Sequence, residues 1–249
     1  LESVFGTLGK DDRYQIIIKD AKSSDSTLEI IKTWNEFLNI NLISSKDDGI
    51  YNAWNQALTS VNSKWVSFLG SDDKFVLENI NEFFETLEEE NSDYILLPVI
   101  FNENGNKVFC ENKMDFESAE LKKRMRFAHP GVIHNTDLFL NSKFDDNLKV
   151  AGDYEFILRS LLNKEQVKFK HYSSSGAIIE FFDGGVSSNP QYLNKTIKEI
   201  TYIRRKHKLK LIDKFIIRLS FKWYLYRLMG PLGLKVNDYL LSCFFKMKY

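Results

Sequence analysis

Cysteine is almost absent. Cys110 and Cys243 are the only two in 249 residues, and two lone thiols make neither a disulfide framework nor a zinc site, so a reducing compartment is expected. Proline is scarce at 4, and glycine stands at 12. With 43% hydrophobic and 27% charged residues, that composition excludes collagen and a disordered chain, and leaves room for a sizeable core. No uncharged apolar run reaches the ~18 residues of a membrane-spanning helix. The start, LESVFGTLGKDDRY, lacks the basic and apolar stretches of a signal peptide. The histidines, His129, His134, His171 and His207, have no spacing that would make a metal site.

Net charge is also absent, but the zero conceals an asymmetry. Residues 195–249 hold 14 Lys+Arg against 3 Asp+Glu, which leaves 20 against 31 in residues 1–194. Of the 35 aromatic residues, 10 lie in the basic segment. An acidic body followed by a basic, aromatic tail suggests chemistry in the first and docking in the second.

The body alternates strand-like and helix-like segments. YQIII (14–18) reads as a strand, and TLEIIKTWNEFL has apolar residues at helical spacing with Ser26 and Glu29 placed as a capping box. NLIS (41–44), KWVSFLG (64–70) and DYILLPVI (93–100) read as further strands, with helices over 50–61 and 75–90. Beyond residue 100, GVIH (131–134), VKFKHY (167–172) and GAIIEFF (176–182) read as strands and AGDYEFILRSLL (151–162) as a helix. This alternation predicts an α/β domain with a mostly parallel sheet flanked by helices. Ligands in such sheets bind at the carboxyl ends of the strands. There stand Asp20, then Asp47-Asp48-Gly49, then Asp72-Asp73. Crowded carboxylates repel, and a divalent cation with a substrate phosphate is the usual remedy.

Six blocks occur in order: KDAKSSDST (19–27), KDDGIYNAWNQAL (46–58), VSFLGSDDKF (66–75), HPGVIHNTDLF (129–139), VAGDYEFILRSL (150–161) and FDGGVSS (182–188). Together they resemble the successive blocks of bacterial family 2 glycosyltransferases with the GT-A fold, the group that builds O-antigen, capsule and exopolysaccharide. The resemblance covers roughly residues 1–190. It implies a GT-A domain over 1–194, with 195–249 a helical tail. In such proteins an opening strand helps to hold the nucleotide base. Leu1 falls in the helix after it, so that strand and part of the nucleotide pocket are expected to be missing from this sequence.

The resemblance also implies roles. Asp20 corresponds to the aspartate that meets the nucleotide base, Asp47 lies in a segment lining the donor pocket, and Asp72 and Asp73 stand for the DXD pair. The first of that pair approaches the ribose, and the second ligates the Mn²⁺ or Mg²⁺ that bridges the diphosphate. Each also has an ordinary reading: turn acid for Asp20, helix-start acids for the pair. Asp25 is expected to cap a helix. The family block is usually D-x-G-I-Y-D, and Asn52 stands here in place of its second acid. Asp153, at the head of a helix, corresponds to the catalytic base. His129 corresponds to an acceptor-side histidine, and Gly184 and Gly185 to a mobile loop closing over the diphosphate.

The implied activity is inverting, metal-dependent transfer of a sugar from a nucleotide donor, UDP-linked, to a lipid-linked or oligosaccharide acceptor in bacterial surface polysaccharide synthesis. A sugar nucleotidyltransferase or a non-catalytic sugar-nucleotide-binding module is the rival reading. The first would show a Gly-rich, Arg-containing loop upstream, and the second would have no reason to keep Asp72, Asp73 and Asp153. In the tail, Ile212, Phe215, Ile216, Leu219, Trp223 and Tyr226 run at helical spacing among Lys and Arg, and Arg204-Arg205-Lys206-His207-Lys208 adds charge. Such a helix suits an anionic membrane surface, which would make the protein peripheral on the cytoplasmic face of the plasma membrane; packing on the body is the competing reading. Nothing resembles a nucleic-acid recognition fold, and no nucleic-acid partner is expected.

Overall fold

The computed structural model describes all residues except 78, 104, 113–120, 126, 165, 173–178, 183–188 and 247–249. It divides into two compact units, one of residues 1–118 and 125–183, the other of 119–124 and 184–249.

The first unit opens with helix α1 (Glu2–Leu8) and strand β1 (Ile16–Asp20), whose three consecutive isoleucines favour extended backbone. Helix α2 (Thr27–Trp34) follows. Ser26 occupies its N-cap without a side-chain bond, and Asp25 accepts the Thr27 N–H at 3.0 Å instead. The expected capping box is therefore replaced by an Asx turn one residue earlier, which satisfies the same class of orphan donor. Strand β2 (Ile40–Ser44) pairs parallel with β1, Asp20 lying opposite Ser44. Helix α3 (Ile50–Ala57) starts after Gly49, whose φ of 112° only glycine adopts readily.

Strand β3 (Trp65–Ser67) is shorter than its apolar run, because Phe68 turns into an aromatic cluster. Strand β4 (Lys74–Phe75) and helix α4 (Ile80–Glu89) follow, α4 capped by Asn79, which accepts the Glu82 N–H. The single strand expected over 93–100 is two, β5 (Tyr94–Leu96) and β6 (Val99–Glu103), in different sheets. Pro98 sits at the break, where its missing N–H costs no ladder bond. Strands β7 (Asn106–Cys110) and β8 (Val132–Asn135), helix α5 (Gly152–Asn163), and strands β9 (Phe169–His171) and β10 (Ile179–Phe182) complete the unit.

The strands form a β1–β2 pair and two four-stranded sheets, ordered β3-β8-β5-β9 and β4-β10-β6-β7. The pairing is mixed, where the sequence reads as mostly parallel. β1–β2, β5–β9 and β6–β10 are parallel, whereas β8 runs antiparallel to both its neighbours and β6–β7 is a hairpin. The run GVIH carries no directional signal, so sequence alone does not reveal an antiparallel strand in the middle of a sheet. Leu77, Phe83, Phe84, Ile95, Leu97, Val99, Ile133 and Ile179 form a buried core on these sheets.

The second unit is helical: α6 (Leu193–Lys206), α7 (Lys214–Met229) and α8 (Pro231–Lys246). Its centre is Arg204, only 1% exposed. The guanidinium donates to Lys123 O at 2.6 Å and to Asp213 Oδ2 at 2.9 Å, and Asp213 caps α7 by accepting the Ile216 N–H. Burial pushes the Asp213 carboxyl up, but the Arg204 bond, the Ile216 amide and the Arg204 charge outweigh it and hold the group below its ordinary value. Arg204 is thus an internal tie and drops out of the basic surface cluster expected over 204–208. The tail stripe needs a similar correction. Ile216 is buried and Phe215, Leu219, Trp223 and Tyr226 are half-buried. The exposed stripe of α7 is another one, Ile217, Phe221, Tyr224 and Leu228, from 45% to 62% exposed. Helix α7 is apolar on two faces, and periodicity alone does not say which one is inside.

Candidate functional site at the strand ends

Asp20 ends β1 and is 5% exposed. Its Oδ2 accepts from the Lys22 N–H at 2.9 Å and the Ser44 hydroxyl at 2.8 Å, and its Oδ1 from the Ser23 N–H at 3.1 Å. The Ser23 and Ser44 hydroxyls, with the backbone amides behind them, hold this carboxyl down to about 2. Asp20 is therefore an anion at neutral pH and organises the turn after its strand.

Lys19, the first residue of the block KDAKSSDST and given no role there, is the cation beside it. Its side chain is 4% exposed, and the ammonium donates to Asp20 O at 2.9 Å, Ser45 O at 2.5 Å and Asp47 Oδ2 at 2.8 Å. All three of its donors are used. The signal in the sequence was a cation inside the apolar strand IIIKD, where lysine is rarely buried without partners. Asp47 also accepts the Gly49 N–H at 3.1 Å. Burial pushes its carboxyl up, but the Lys19 bond, the Gly49 amide and the Lys19 charge bring it below its ordinary value. Asp20 and Asp47, read separately in the sequence, are thus brought together around one ammonium.

The segment after Asp47 reaches the other side of the site. Asn52 donates to Asp146 Oδ2 at 3.1 Å while its Oδ1 accepts from Gln56 Nε2 at 2.8 Å. An aspartate at 52 would set two carboxylates face to face. The amide removes that repulsion, which accounts for the departure from the family's second acid. Lys149 donates to Asp48 O and to Asp146 O, and with Asp48, Asp146 and Asn147 it lines an open cavity of about 440 Å³.

Asp153 lies in the first turn of α5, where its Oδ1 accepts the Tyr154 N–H at 2.8 Å and the Tyr51 hydroxyl at 3.0 Å. His129 is buried and lies near it, its ring stacked on Trp54 at 5.1 Å. Burial lowers the His129 pKa and the Asp153 charge opposes that, with burial the larger effect. His134, 0% exposed and 5.1 Å from His129 ring to ring, is pushed well below its ordinary value, burial first and the His129 charge second. Phe68, Trp54, Phe144, Phe139 and Phe156 pack around the two rings.

Asp72 and Asp73 close a turn two residues beyond that cluster. The Asp73 carboxylate accepts the Gly70 N–H at 3.0 Å, and the Asp73 N–H donates to Gly70 O at 3.2 Å. A Cβ at Gly70 would lie 2.7 Å from Asp73 Oδ2 and 2.9 Å from Asp72 Oδ1. The two carboxylates therefore share the space that the glycine leaves. No group of three or more His, Cys, Asp or Glu suited to a metal exists among the described residues. Gly184 and Gly185 lie outside the described residues.

The glycosyl transferase family 2 model matches residues 1–145. This chain belongs to glycosyl transferase family 2. Its relatives include the Staphylococcus aureus (strain Mu50) poly(ribitol-phosphate) beta-N-acetylglucosaminyltransferase TarS, 22% identical over 184 residues, covering 67% of this chain and 31% of TarS. A Mycobacterium bovis (strain BCG / Pasteur) PGL/p-HBAD biosynthesis glycosyltransferase is 24% identical over 218 residues, covering 84% of this chain and 79% of that one. Among solved structures, S. aureus TarS 1–349 in complex with UDP superimposes with a TM-score of 0.59 at 17% identity, covering 90% of this chain and 65% of that chain. The same protein with UDP-GlcNAc gives 0.57 at 19%, covering 85% and 63%. The likeness establishes the GT-A fold for this family 2 chain, and a helical C-terminal region is also present. The chain spans about a third of the length of TarS.

Proposed function

We propose that this chain is an inverting glycosyltransferase that moves a sugar from a UDP-linked donor to a lipid-linked or oligosaccharide acceptor of the bacterial surface. The observation that carries the proposal is the convergence of Asp72 and Asp73 over Gly70 at the exit of β3. Two adjacent carboxylates suit Mg²⁺ or Mn²⁺, which takes one or two protein carboxylates and completes its shell with substrate phosphates and water. Asp73 would be the protein ligand and Asp72 the ribose contact. Such an ion stabilises the charge that grows on the leaving diphosphate. Asp20, charged at neutral pH, would accept a hydrogen bond from the base, and Asp47 would hold the donor loop in shape from its place on Lys19. Asp153 would take the proton of the acceptor hydroxyl. As it does, the acceptor oxygen bonds to the anomeric carbon from the face opposite the diphosphate, and the diphosphate leaves with the old C–O pair. His129, buried, would line the acceptor side.

The UDP and UDP-GlcNAc complexes of TarS support a UDP-sugar donor. No helix among the described residues is long and apolar enough to cross a membrane. The exposed stripe Ile217, Phe221, Tyr224 and Leu228 instead lies along a helix that also carries exposed Lys214, Arg218 and Arg227. That combination suits an anionic lipid surface and would keep the enzyme beside a lipid-linked acceptor on the cytoplasmic face.

The test is release of UDP from UDP-GlcNAc with and without Mn²⁺, for the parent and for Asp73→Ala. Metal-dependent release by the parent, lost in the variant with an unchanged melting temperature, is expected. Equal release by both refutes the ligand assignment. No release by the parent from UDP-GlcNAc or other UDP-sugars refutes the activity.

A further inference from the structure

Tyr51 is 3% exposed, a deep position for a hydroxyl-bearing side chain. Three contacts fix it. Its ring stacks on Phe144 at 5.8 Å and meets Trp54 edge-on at 5.4 Å. On a third side it lies against the backbone of Gly152, where an added Cβ would come within 2.7 Å of Cδ2 and Cε2. Only glycine at 152 allows that approach. The ring is thus pressed on the first residue of α5, and its hydroxyl ends 3.0 Å from Oδ1 of the next residue, Asp153.

The phenol is the donor of this bond. Burial, together with the Asp153 charge, raises the Tyr51 pKa well above its ordinary value, so its proton stays on. The same Oδ1 accepts the Tyr154 N–H at 2.8 Å. Two donors on one oxygen fix the rotation of the carboxylate about its side chain and direct the other oxygen, Oδ2, away from them.

We propose that Tyr51 is a positioning residue for the general base: it locks Oδ1 of Asp153 so that Oδ2 is the oxygen presented to the acceptor hydroxyl. The inference rests on the glycosyltransferase reading and adds to it a group on α3, one that no metal or nucleotide role requires. His129 also faces Asp153, and burial lowers its pKa while the Asp153 charge opposes that. Removing the phenol takes one of the two donors from Oδ1 and frees the carboxylate to turn.

The experiment uses Tyr51→Phe, which keeps the ring and both aromatic contacts. Two readouts are taken on the full chain for the parent, Tyr51→Phe, Asp153→Asn and the double variant. The first is kcat and KM for UDP release from UDP-GlcNAc with Mn²⁺. The second is urea unfolding, which needs no turnover. For the Phe variant, kcat is expected to fall about 10-fold, a part of the ~10²–10⁴-fold that a positioned base contributes, with KM for UDP-GlcNAc unchanged. In the Asp153→Asn background the same change should cost nothing further, and the stability losses should be less than additive. A parent-like kcat overturns the inference, as does an equal fall in kcat in both backgrounds. A parent that releases no UDP overturns the glycosyltransferase reading instead, and the additivity of the stability losses then decides whether Tyr51 holds Asp153. A fall in kcat accompanied by an equal rise in KM assigns Tyr51 to packing alone and overturns the inference.

Discussion

Replacing Lys19 with methionine would leave a hole in the electrostatics of the site rather than in its packing. The aliphatic stem survives, but Asp47, whose side chain is only 12% exposed, loses its cation. Asp20 O and Ser45 O lose a donor each. Removing one partner of a buried pair costs about 3–5 kcal/mol, and the residual exposure of Asp47 argues for the lower end, about 3 kcal/mol. For a chain of this length that is roughly a 6–12 °C fall in melting temperature. The pH dependence supplies the sharper check. In the parent the Asp47 carboxyl is held below its ordinary value. Its contribution is present above the unfolded pKa of about 4 and is lost as pH falls through the folded value. In the variant burial, the Asp20 charge and the Gly49 amide remain, the first two win, and the sign reverses: the variant gains relative stability on acidification. The gap between the two proteins should be widest at pH 7 and narrow below about pH 4. Urea unfolding followed by tryptophan fluorescence measures it, with Lys19→Met/Asp47→Asn as the second arm of a double-mutant cycle. A gap under about 1 kcal/mol at pH 7, of the size of a surface pair, or a double variant no more stable than the single one, would refute the clamp.

Asp20→Asn should destabilise the turn after β1 at pH 7, with the difference from the parent shrinking as pH falls from about 4 toward the folded value of about 2; a difference constant across that window removes Asp20 from the role. In α7, Ile217→Glu/Phe221→Glu should weaken co-sedimentation with phosphatidylglycerol vesicles at low salt while leaving the melting temperature unchanged. Each basic residue at the surface adds about 1 kcal/mol, and a full chain that ignores such vesicles sinks the docking face.

How far the sequence carried the reading depends on what each residue had to signal. The end of β1 was legible because an apolar run stopping at an acid, IIIKD, is a local pattern. Asp25 bonding the first amide of α2, Asp153 in a first turn and the alternation of strand and helix from β1 to β3 follow from local spacing. Tertiary choices were not legible. The break at Pro98 sends two halves of one apolar run to different sheets, and nothing in DYILLPVI says so. The burial of Arg204 depends on Lys123 O, 81 positions away in the chain, and that long-range partner is what turns a residue of a basic cluster into an internal tie. The stripe on α7 was misplaced for the opposite reason: its two apolar faces are locally equivalent, and only packing separates them.

The segment from Asp47 to Asn55 explains why these local signals converge on one site. At its start Asp47 is held to β1 through Lys19. Four residues on, Tyr51 holds Asp153, and beyond it Asn52 and Asn55 bond Asp146 and Phe144 O. Lys149 closes the return connection by donating to Asp48 O. One helix start therefore touches both the strand end assigned to the nucleotide and the helix end assigned to the base. Its contacts are hydrogen bonds and ring stacks within the protein itself. Such contacts would let the fold hold the proposed base in place. Perturbing either end, at Lys19 or at Gly152, should then be felt at the other. Asn52 fits the same logic: an acid there would push Asp146 away and loosen the connection, whereas the amide donates to it and keeps the two sides joined.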